Sequence, residues 1–142
     1  MLFRSGLRAG YVLGDPRLIA ALSHHQPPWS VSALAACAMI HTASAEAVRE
    51  AESGAARLGR VRRHLVSGLE SRGLHPVPGH APFVLVEAGV GVREALREAG
   101  VAVRRGDTFP GLGPGWIRVA VRTPEVTEQF LTALEAALDP LR

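Results

Sequence analysis

Arginine dominates the residues of this sequence that could do chemistry. All 16 basic residues are arginines and none is a lysine. The chain therefore carries permanently charged guanidinium groups but no side-chain amine. The net charge is only +3, because 13 acidic residues offset the arginines. The densest group, between Arg57 and Arg63, follows Glu46, Glu50 and Glu52 in one helical stretch. That mixture is typical of a solvated helix face and argues against a nucleic-acid-binding stripe.

The histidines and the single cysteine indicate no metal site and no nucleophile. His24 and His25 are adjacent, and neighbouring side chains on a helix do not face each other. The remaining histidines have no nucleophile or carboxylate at a telling spacing: His41, His64, His75 and His80. Cys37 lies in an apolar helical stretch, where we expect a buried and inert thiol. One cysteine forms no disulfide within the chain, which favours a reducing cytoplasm, and neither a signal peptide nor a membrane-spanning segment is visible.

The first half of the chain should be mostly helical. Gly6 to Leu13 predicts a glycine-punctuated strand, and Leu18 to Leu22 predicts a short helix after the Asp15-Pro16 turn. The proline pair in Gln26 to Ser30 requires a loop, after which Ser30 or Ser32 can cap the next helix. A helical pattern then runs from about Ser32 to Ser71, with a break expected at Ser53-Gly54 or Gly59. Its wholly apolar start, Ala33 to Ile40, should be buried on all sides.

The second half alternates strands with helices. The pattern predicts strands at Pro82–Glu87, Val101–Arg104 and Trp116–Arg122, with a helix at Val92–Ala99. A final helix capped by Thr123 should bury Phe130, Leu131, Leu134 and Leu138. These elements predict an α/β arrangement in which one sheet packs against helices.

Three segments carry a resemblance to a known family. Gly6-Leu7-Arg8-Ala9-Gly10-Tyr11 resembles the end of the pyridoxal-phosphate attachment motif of class I/II, fold-type-I aminotransferases. Val103 to Leu112 and Trp116 to Arg122 are similar to the threonine-phosphate decarboxylase-like proteins of cobalamin biosynthesis, within the histidinol-phosphate aminotransferase-like branch. The resemblance covers nearly the whole chain but only the C-terminal part of such an enzyme.

The resemblance implies a domain organisation and a missing residue. Residues 1–30 would be a remnant of the large domain that binds pyridoxal 5'-phosphate, residues 31–72 an interdomain helical segment, and residues 73–142 the small C-terminal α/β domain. The Schiff-base lysine of the family would stand just ahead of Met1, so we expect this chain to be inactive alone. Residues 1–5 depart from the family and back-translate as a sequencing adapter, so we expect them to be an assembly artefact.

The resemblance also implies roles for three arginines. Arg8 would pair with the cofactor phosphate, Arg118 would hold the α-carboxylate of the substrate, and Arg104 would bind a substrate phosphate. Arg105 remains a rival to Arg104, because the spacing to Arg118 allows either. The substrate would be a small phosphorylated amino acid, and the full-length enzyme would be a cytoplasmic homodimer.

Three functions stay open at this point. The resemblance favours decarboxylation of threonine phosphate, with transamination of the histidinol-phosphate type as the alternative. These two reactions differ in which substrate bond is aligned with the π-system of the cofactor. A third hypothesis, from a different class, is a non-catalytic α/β interaction module.

Overall fold

The computed structural model describes residue 8 and residues 10–139. In chain order, the described elements are α1 (Pro16–His24), α2 (Ala33–Thr42), α3 (Ala45–Glu70), β1 (Phe83–Glu87), α4 (Val92–Glu98), β2 (Arg104–Arg105), β3 (Trp116–Ala120) and α5 (Pro124–Leu138). The chain divides into two compact units, Met1–Gly54 and Ala55–Arg142. The division falls inside α3, between Gly54 and Ala55. No helix in the described part of the chain is both long and apolar enough to cross a membrane.

Side-chain caps start the two short helices of the first unit. The Asp15 carboxylate accepts a hydrogen bond from the Arg17 amide at 2.8 Å, and Pro16 occupies the first turn of α1. The Ser32 hydroxyl accepts from the Ala35 amide at 3.1 Å and begins α2. Of the two caps that the sequence allowed, Ser32 is therefore the one used.

The predicted strand at Gly6–Leu13 is wrong where the structure describes it. Residues 10–13 adopt no strand, and residues 6, 7 and 9 lie outside the described residues. A strand is stable only when its backbone groups pair with a neighbour. No described residue supplies such a pairing, and Tyr11, Val12 and Leu13 are exposed.

The long helical stretch breaks earlier than the sequence predicts. The interruption lies between Thr42 and Ala45, and α3 continues through both Ser53-Gly54 and Gly59. The Ser44 hydroxyl accepts a hydrogen bond from the Ala47 amide at 3.2 Å, which satisfies a free donor at the start of a new helix. A glycine inside a helix costs only about 1 kcal/mol, and a helix as long as α3 tolerates it.

The apolar α2 is not buried on all sides, contrary to expectation. Ala35 is the one buried residue of this helix, whereas Leu34 and Ile40 are exposed. Cys37 is exposed too, so the prediction of a buried thiol is wrong. A helix buries only those faces that neighbouring elements cover.

The second unit contains a three-stranded antiparallel sheet in the order β1-β3-β2. Alternation along the strands gives the sheet two different faces. Val84 and Val86 of β1 and Ile117 and Val119 of β3 are buried on one face. The C-terminal half of α3, together with α4 and α5, supplies most of the rest of that core: Leu65, Leu69, Val92, Leu96, Phe130, Leu131, Leu134, Ala137 and Leu138.

Most predicted elements of this unit are confirmed, with shifted ends. The four predicted buried residues of α5 are buried, and α4 and β1 lie within a residue of their expected positions. The predicted strand at Val101–Arg104 is reduced to Arg104–Arg105, because pairing with β3 begins only at Arg104. Val101 and Val103 still pack against the core.

Two glycines allow close backbone approaches in this unit. A Cβ atom on Gly68 of α3 would lie 2.4 Å from Leu131 Cδ1 of α5. A Cβ atom on Gly106 would lie 2.5 Å from Trp116 Cβ, and the Gly106 amide donates to the Trp116 carbonyl at 2.7 Å. The second contact holds the start of the loop between β2 and β3 against the sheet.

Candidate functional site

Two of the predicted site arginines lie directly opposite each other on neighbouring strands. Arg104 of β2 pairs with Arg118 of β3 in the antiparallel register. Directly paired residues project from the same face of a sheet. This face is opposite the core, because the neighbours of Arg118 on β3, Ile117 and Val119, are buried. Like charges placed opposite each other destabilise a sheet, and an anion bound between them would remove the repulsion.

Two phenylalanine rings flank this arginine pair. Arg118 Cζ lies 4.6 Å from the ring centroid of Phe83 on β1 and 5.8 Å from that of Phe109. Arg104 Cζ lies 5.8 Å from the same Phe109 ring. All three distances are within the range of cation–π attraction. Both rings are partly exposed, at 37% for Phe83 and 39% for Phe109, so they line the surface on which the guanidinium groups lie.

Arg105 has a different partner from Arg104. It pairs with Ile117, a residue of the core face, and its Nε and Nη2 atoms donate to the two carboxylate oxygens of Asp107, the second at 2.6 Å. These hydrogen bonds, followed by the charge of Arg105, hold the pKa of the Asp107 carboxyl below its ordinary value. The same hydrogen bonds raise the pKa of Arg105. The structure therefore brings Arg104 together with Arg118 and engages Arg105 elsewhere.

A second ion pair lies close to Arg105 and Asp107. Arg93 donates to Glu94 at 2.6 Å at the start of α4. A shallow depression is lined by these four charged residues together with Val90, Gly91 and Pro114. The charge of Arg93 also contributes to the lowered pKa of Asp107. Each guanidinium in this depression already has a carboxylate partner. We therefore expect an anion to bind less tightly here than at the Arg104–Arg118 pair.

The third predicted arginine, Arg8, lies in the other unit. It lines a depression of about 340 Å³ with Gly10, Gln26, Ser30, Val31, Ser32 and Ala35. Its backbone has a φ of 55°, a left-handed conformation that is uncommon for residues other than glycine. The Ser30 hydroxyl accepts from Gln26 Nε2, and the Ser32 hydroxyl accepts from the Ala35 amide at the start of α2. Both hydroxyl groups keep a proton to donate.

These residues fit part of a phosphorylated cofactor. A guanidinium and two serine hydroxyl groups beside a helix N-terminus are suitable donors for a phosphate. Covalent attachment of an aldehyde cofactor needs an amine, and the sequence contains no lysine. The chain therefore contains donors for a phosphate but no residue for the covalent bond.

Comparison with solved structures shows that known proteins share the described α/β fold. A decarboxylase from Sulfurospirillum multivorans has a similar structure, with a TM-score of 0.80 and 25% identity, over 95% of this chain and 40% of that one. L-Threonine-O-3-phosphate decarboxylase from Porphyromonas gingivalis shares the fold, with a TM-score of 0.73 and 23% identity, over 94% of this chain and 42% of that one.

Sequence comparison identifies the family. The family described as aminotransferase class I and II matches residues 4–134, so the chain belongs to this pyridoxal-phosphate-dependent family. A histidinol-phosphate aminotransferase of Mycobacterium tuberculosis is 42% identical over 120 residues, which are 83% of this chain and 33% of that protein. The chain thus spans about a third of the length of this relative. The predicted family and α/β fold are confirmed.

The sequence analysis did not identify Phe83, Phe109 or Asp107 as parts of the site. One signal for Phe83 was available, because in the alternation of β1 it falls on the opposite face from Val84 and Val86. An aromatic ring on the solvent side of a strand is available to contact the side chains of the neighbouring strand on that face. Phe109 and Asp107 lie in a loop, where no periodicity predicts which way a side chain points.

Proposed function

We propose that this chain is part of a pyridoxal-phosphate-dependent enzyme that acts on a small phosphorylated amino acid. The reaction that we propose is the decarboxylation of threonine phosphate. The cross-strand pairing of Arg104 with Arg118 supports this proposal most strongly. Threonine phosphate carries a phosphate and a carboxylate on one short carbon skeleton. Two guanidinium groups side by side on one surface can bind both anions of that molecule at once.

The surroundings of the two arginines favour a division of roles. Arg118 is half-buried on the central strand and lies closest to Phe83, which suits a bidentate pair with a flat carboxylate. Arg104 is exposed on the edge strand, where the strongly hydrated phosphate dianion loses less water on binding. The bond between Arg105 and Asp107 supports Arg104 over Arg105 as the phosphate ligand.

In this proposal Arg8 holds the cofactor phosphate, assisted by Ser30 and Ser32. The cofactor, when bound, supplies an electron sink for bond cleavage at the α-carbon of the substrate. The residues of this chain then bind and orient: Arg8 fixes the cofactor, and Arg104 with Arg118 fixes the substrate. The lysine that attaches the cofactor belongs, in the proposed enzyme, to a part of the polypeptide outside these 142 residues.

A second candidate function is transamination of the histidinol-phosphate type. It is favoured by the relative from M. tuberculosis, whose name gives that activity. Histidinol phosphate carries a phosphate and an amine but no carboxylate. Arg104 and Arg118 would then face a molecule with a single anionic group, its phosphate.

Ligand binding by the 142-residue chain distinguishes these candidates. We expect isothermal titration calorimetry to show tighter binding of O-phospho-L-threonine than of L-threonine or histidinol phosphate. Arg104→Gln and Arg118→Gln should each weaken binding of O-phospho-L-threonine by about tenfold or more, the scale of a lost charged hydrogen bond. Arg122→Gln, which changes an exposed arginine beyond the end of β3, is the matched control.

Each outcome of this titration selects one function. Tighter binding of histidinol phosphate than of O-phospho-L-threonine would favour the aminotransferase. If none of the phosphorylated ligands binds, or if Arg122→Gln weakens binding as much as the other two substitutions, the anion site is refuted. The interaction-module hypothesis would then be the one to pursue.

A further inference from the structure

We propose that Phe109 is a positioning residue that holds Arg104 and Arg118 in the arrangement that binds the substrate anions. The inference rests on the proposed function and extends it to the loop between β2 and β3. Phe109 would act through the two arginines and would not itself contact the reacting atoms.

Phe109 differs from Phe83 in contacting both guanidinium groups. Its ring centroid lies 5.8 Å from Arg104 Cζ and 5.8 Å from Arg118 Cζ, whereas the cation–π contact of the Phe83 ring within the described part of the chain is with Arg118. One ring therefore lies at the same distance from two cations that repel each other across the strands. The negative face of an aromatic ring attracts both cations and offsets part of that repulsion.

The loop backbone sets the position of this ring. The Phe109 amide donates to the Gly106 carbonyl at 2.9 Å, and the Leu112 amide donates to the Phe109 carbonyl at 3.1 Å. Gly106 is itself held against Trp116, and Asp107 is tied to Arg105. The residues before and after Phe109 are thus fixed by hydrogen bonds that leave the ring beside the arginines.

Core packing does not explain the ring. Phe109 is 39% exposed and is absent from the hydrophobic core, which contains Phe130 at 5% exposure. The contacts that set Phe109 apart from an ordinary exposed phenylalanine are its two cation–π contacts, with Arg104 and Arg118.

The physical benefit is restraint of two flexible side chains. Each arginine loses rotamer entropy when it is fixed, and a guanidinium held beside a ring has lost part of that freedom before the ligand arrives. An apolar ring also displaces water from one side of each cation, which strengthens its attraction to an anion. Both effects require an aromatic face near the arginines.

Substitutions at Phe109 separate an aromatic role from a merely apolar one. Phe109→Leu should weaken binding of O-phospho-L-threonine by about five- to thirtyfold, the loss of two exposed cation–π contacts. Phe109→Tyr keeps the ring face and should bind within about twofold of the unchanged protein. Phe109→Met keeps much of the volume without a ring, and it replaces the leucine variant if that variant does not fold.

Nuclear magnetic resonance of the arginine Nε–H groups tests the contacts without any ligand. Ring-current shifts should mark the signals of both Arg104 and Arg118. Phe109→Leu should move both signals, Phe83→Leu should move that of Arg118 more than that of Arg104, and Phe109→Tyr should leave both near their original positions. A structural role elsewhere in the fold would not give this pattern.

The outcomes distinguish failure of the inference from failure of the proposed function. If the unchanged protein binds O-phospho-L-threonine and Phe109→Leu binds it equally well, the positioning role is overturned while the anion site stands. If tyrosine fails to rescue binding, the aromatic face is not what matters and the inference is also overturned. If the unchanged protein does not bind the ligand, the proposed function fails and the inference fails with it.

Discussion

Replacement of Gly68 by alanine tests the contact between the longest helix and the last one. Gly68 of α3 faces Leu131 of α5, and a Cβ atom would lie 2.4 Å from Leu131 Cδ1, 3.1 Å from Cδ2 and 3.3 Å from Cγ. Leu131 is only 2% exposed and is packed within the core, so its side chain has little room to move away. The added methyl group should therefore force the two helices apart or distort the leucine.

The net effect of Gly68→Ala is the difference of two opposing terms. Overpacking a core costs about 1–3 kcal/mol, while alanine stabilises a helix by up to about 1 kcal/mol relative to glycine. We expect a net loss of about 1 kcal/mol in the free energy of unfolding. For a unit of this size that loss corresponds to a fall in Tm of about 4–8 °C.

Gly59→Ala is a matched control on the same helix. The nearest atom to its added Cβ would be Arg63 Nη1 at 4.0 Å, an ordinary contact. This change gains helix propensity without overpacking and should stabilise the protein by about 0.5–1 kcal/mol. Urea denaturation followed by circular dichroism measures both variants. Equal stabilisation by the two alanines would refute the close approach of α3 and α5.

Two further predictions concern individual side chains. Because the folded-state pKa of Asp107 is depressed by Arg105, its contribution to stability is present above the ordinary carboxyl pKa of about 4 and is lost as pH falls through the lower folded value. Asp107→Asn should therefore flatten the acid limb of the stability curve measured by thermal unfolding between pH 2 and pH 5, and an unchanged acid limb would contradict this. The exposed Cys37 thiol should react with a thiol reagent such as dithiobis(nitrobenzoate) in the native protein, nearly as fast as in urea. Reaction only after unfolding would show instead that α2 is covered.

The sequence was most informative where local signals agreed with one another. Pro124 and Glu125 predict the start of α5, and its apolar period predicts the buried face that is observed. Thr123 occupies the predicted N-cap position, but its side chain makes no capping hydrogen bond. Alternation likewise predicts β1 and β3. In these segments, the first-turn residues and the periodicity depend on neighbouring residues alone, so they can be read without knowing the fold.

Elements that depend on a partner were predicted less well. The break before Ala45 contains neither glycine nor proline and depends on Ser44 bonding the Ala47 amide, an option open to many serines. The apolar pattern of α2 shows what could be buried, but it does not show what is available to cover it. The prediction of a strand at residues 10–13 is wrong for the same reason, because a strand needs a second strand with which to pair.

The candidate site likewise combines residues that could be named before the structure was known with residues that could not. The resemblance pointed to Arg104 and Arg118, yet it left Arg105 open, because successive strand residues point to opposite faces and a one-residue shift exchanges them. Only the observed register brings Arg104 opposite Arg118. Phe109 reaches both arginines through a loop whose course depends on the contact between Gly106 and Trp116, a feature that no local pattern predicts.

The most direct test of the arginine pair combines residue substitutions with ligand truncations. Binding of three ligands is measured by calorimetry: O-phospho-L-threonine, L-threonine, which lacks the phosphate, and the carboxamide of O-phospho-L-threonine, which lacks the carboxylate. The proposal predicts that Arg104→Gln weakens only the two phosphorylated ligands, and that Arg118→Gln weakens only the two that carry a carboxylate. If both substitutions weaken all three ligands equally, or if neither changes any affinity, the assignment of phosphate to Arg104 and carboxylate to Arg118 is contradicted.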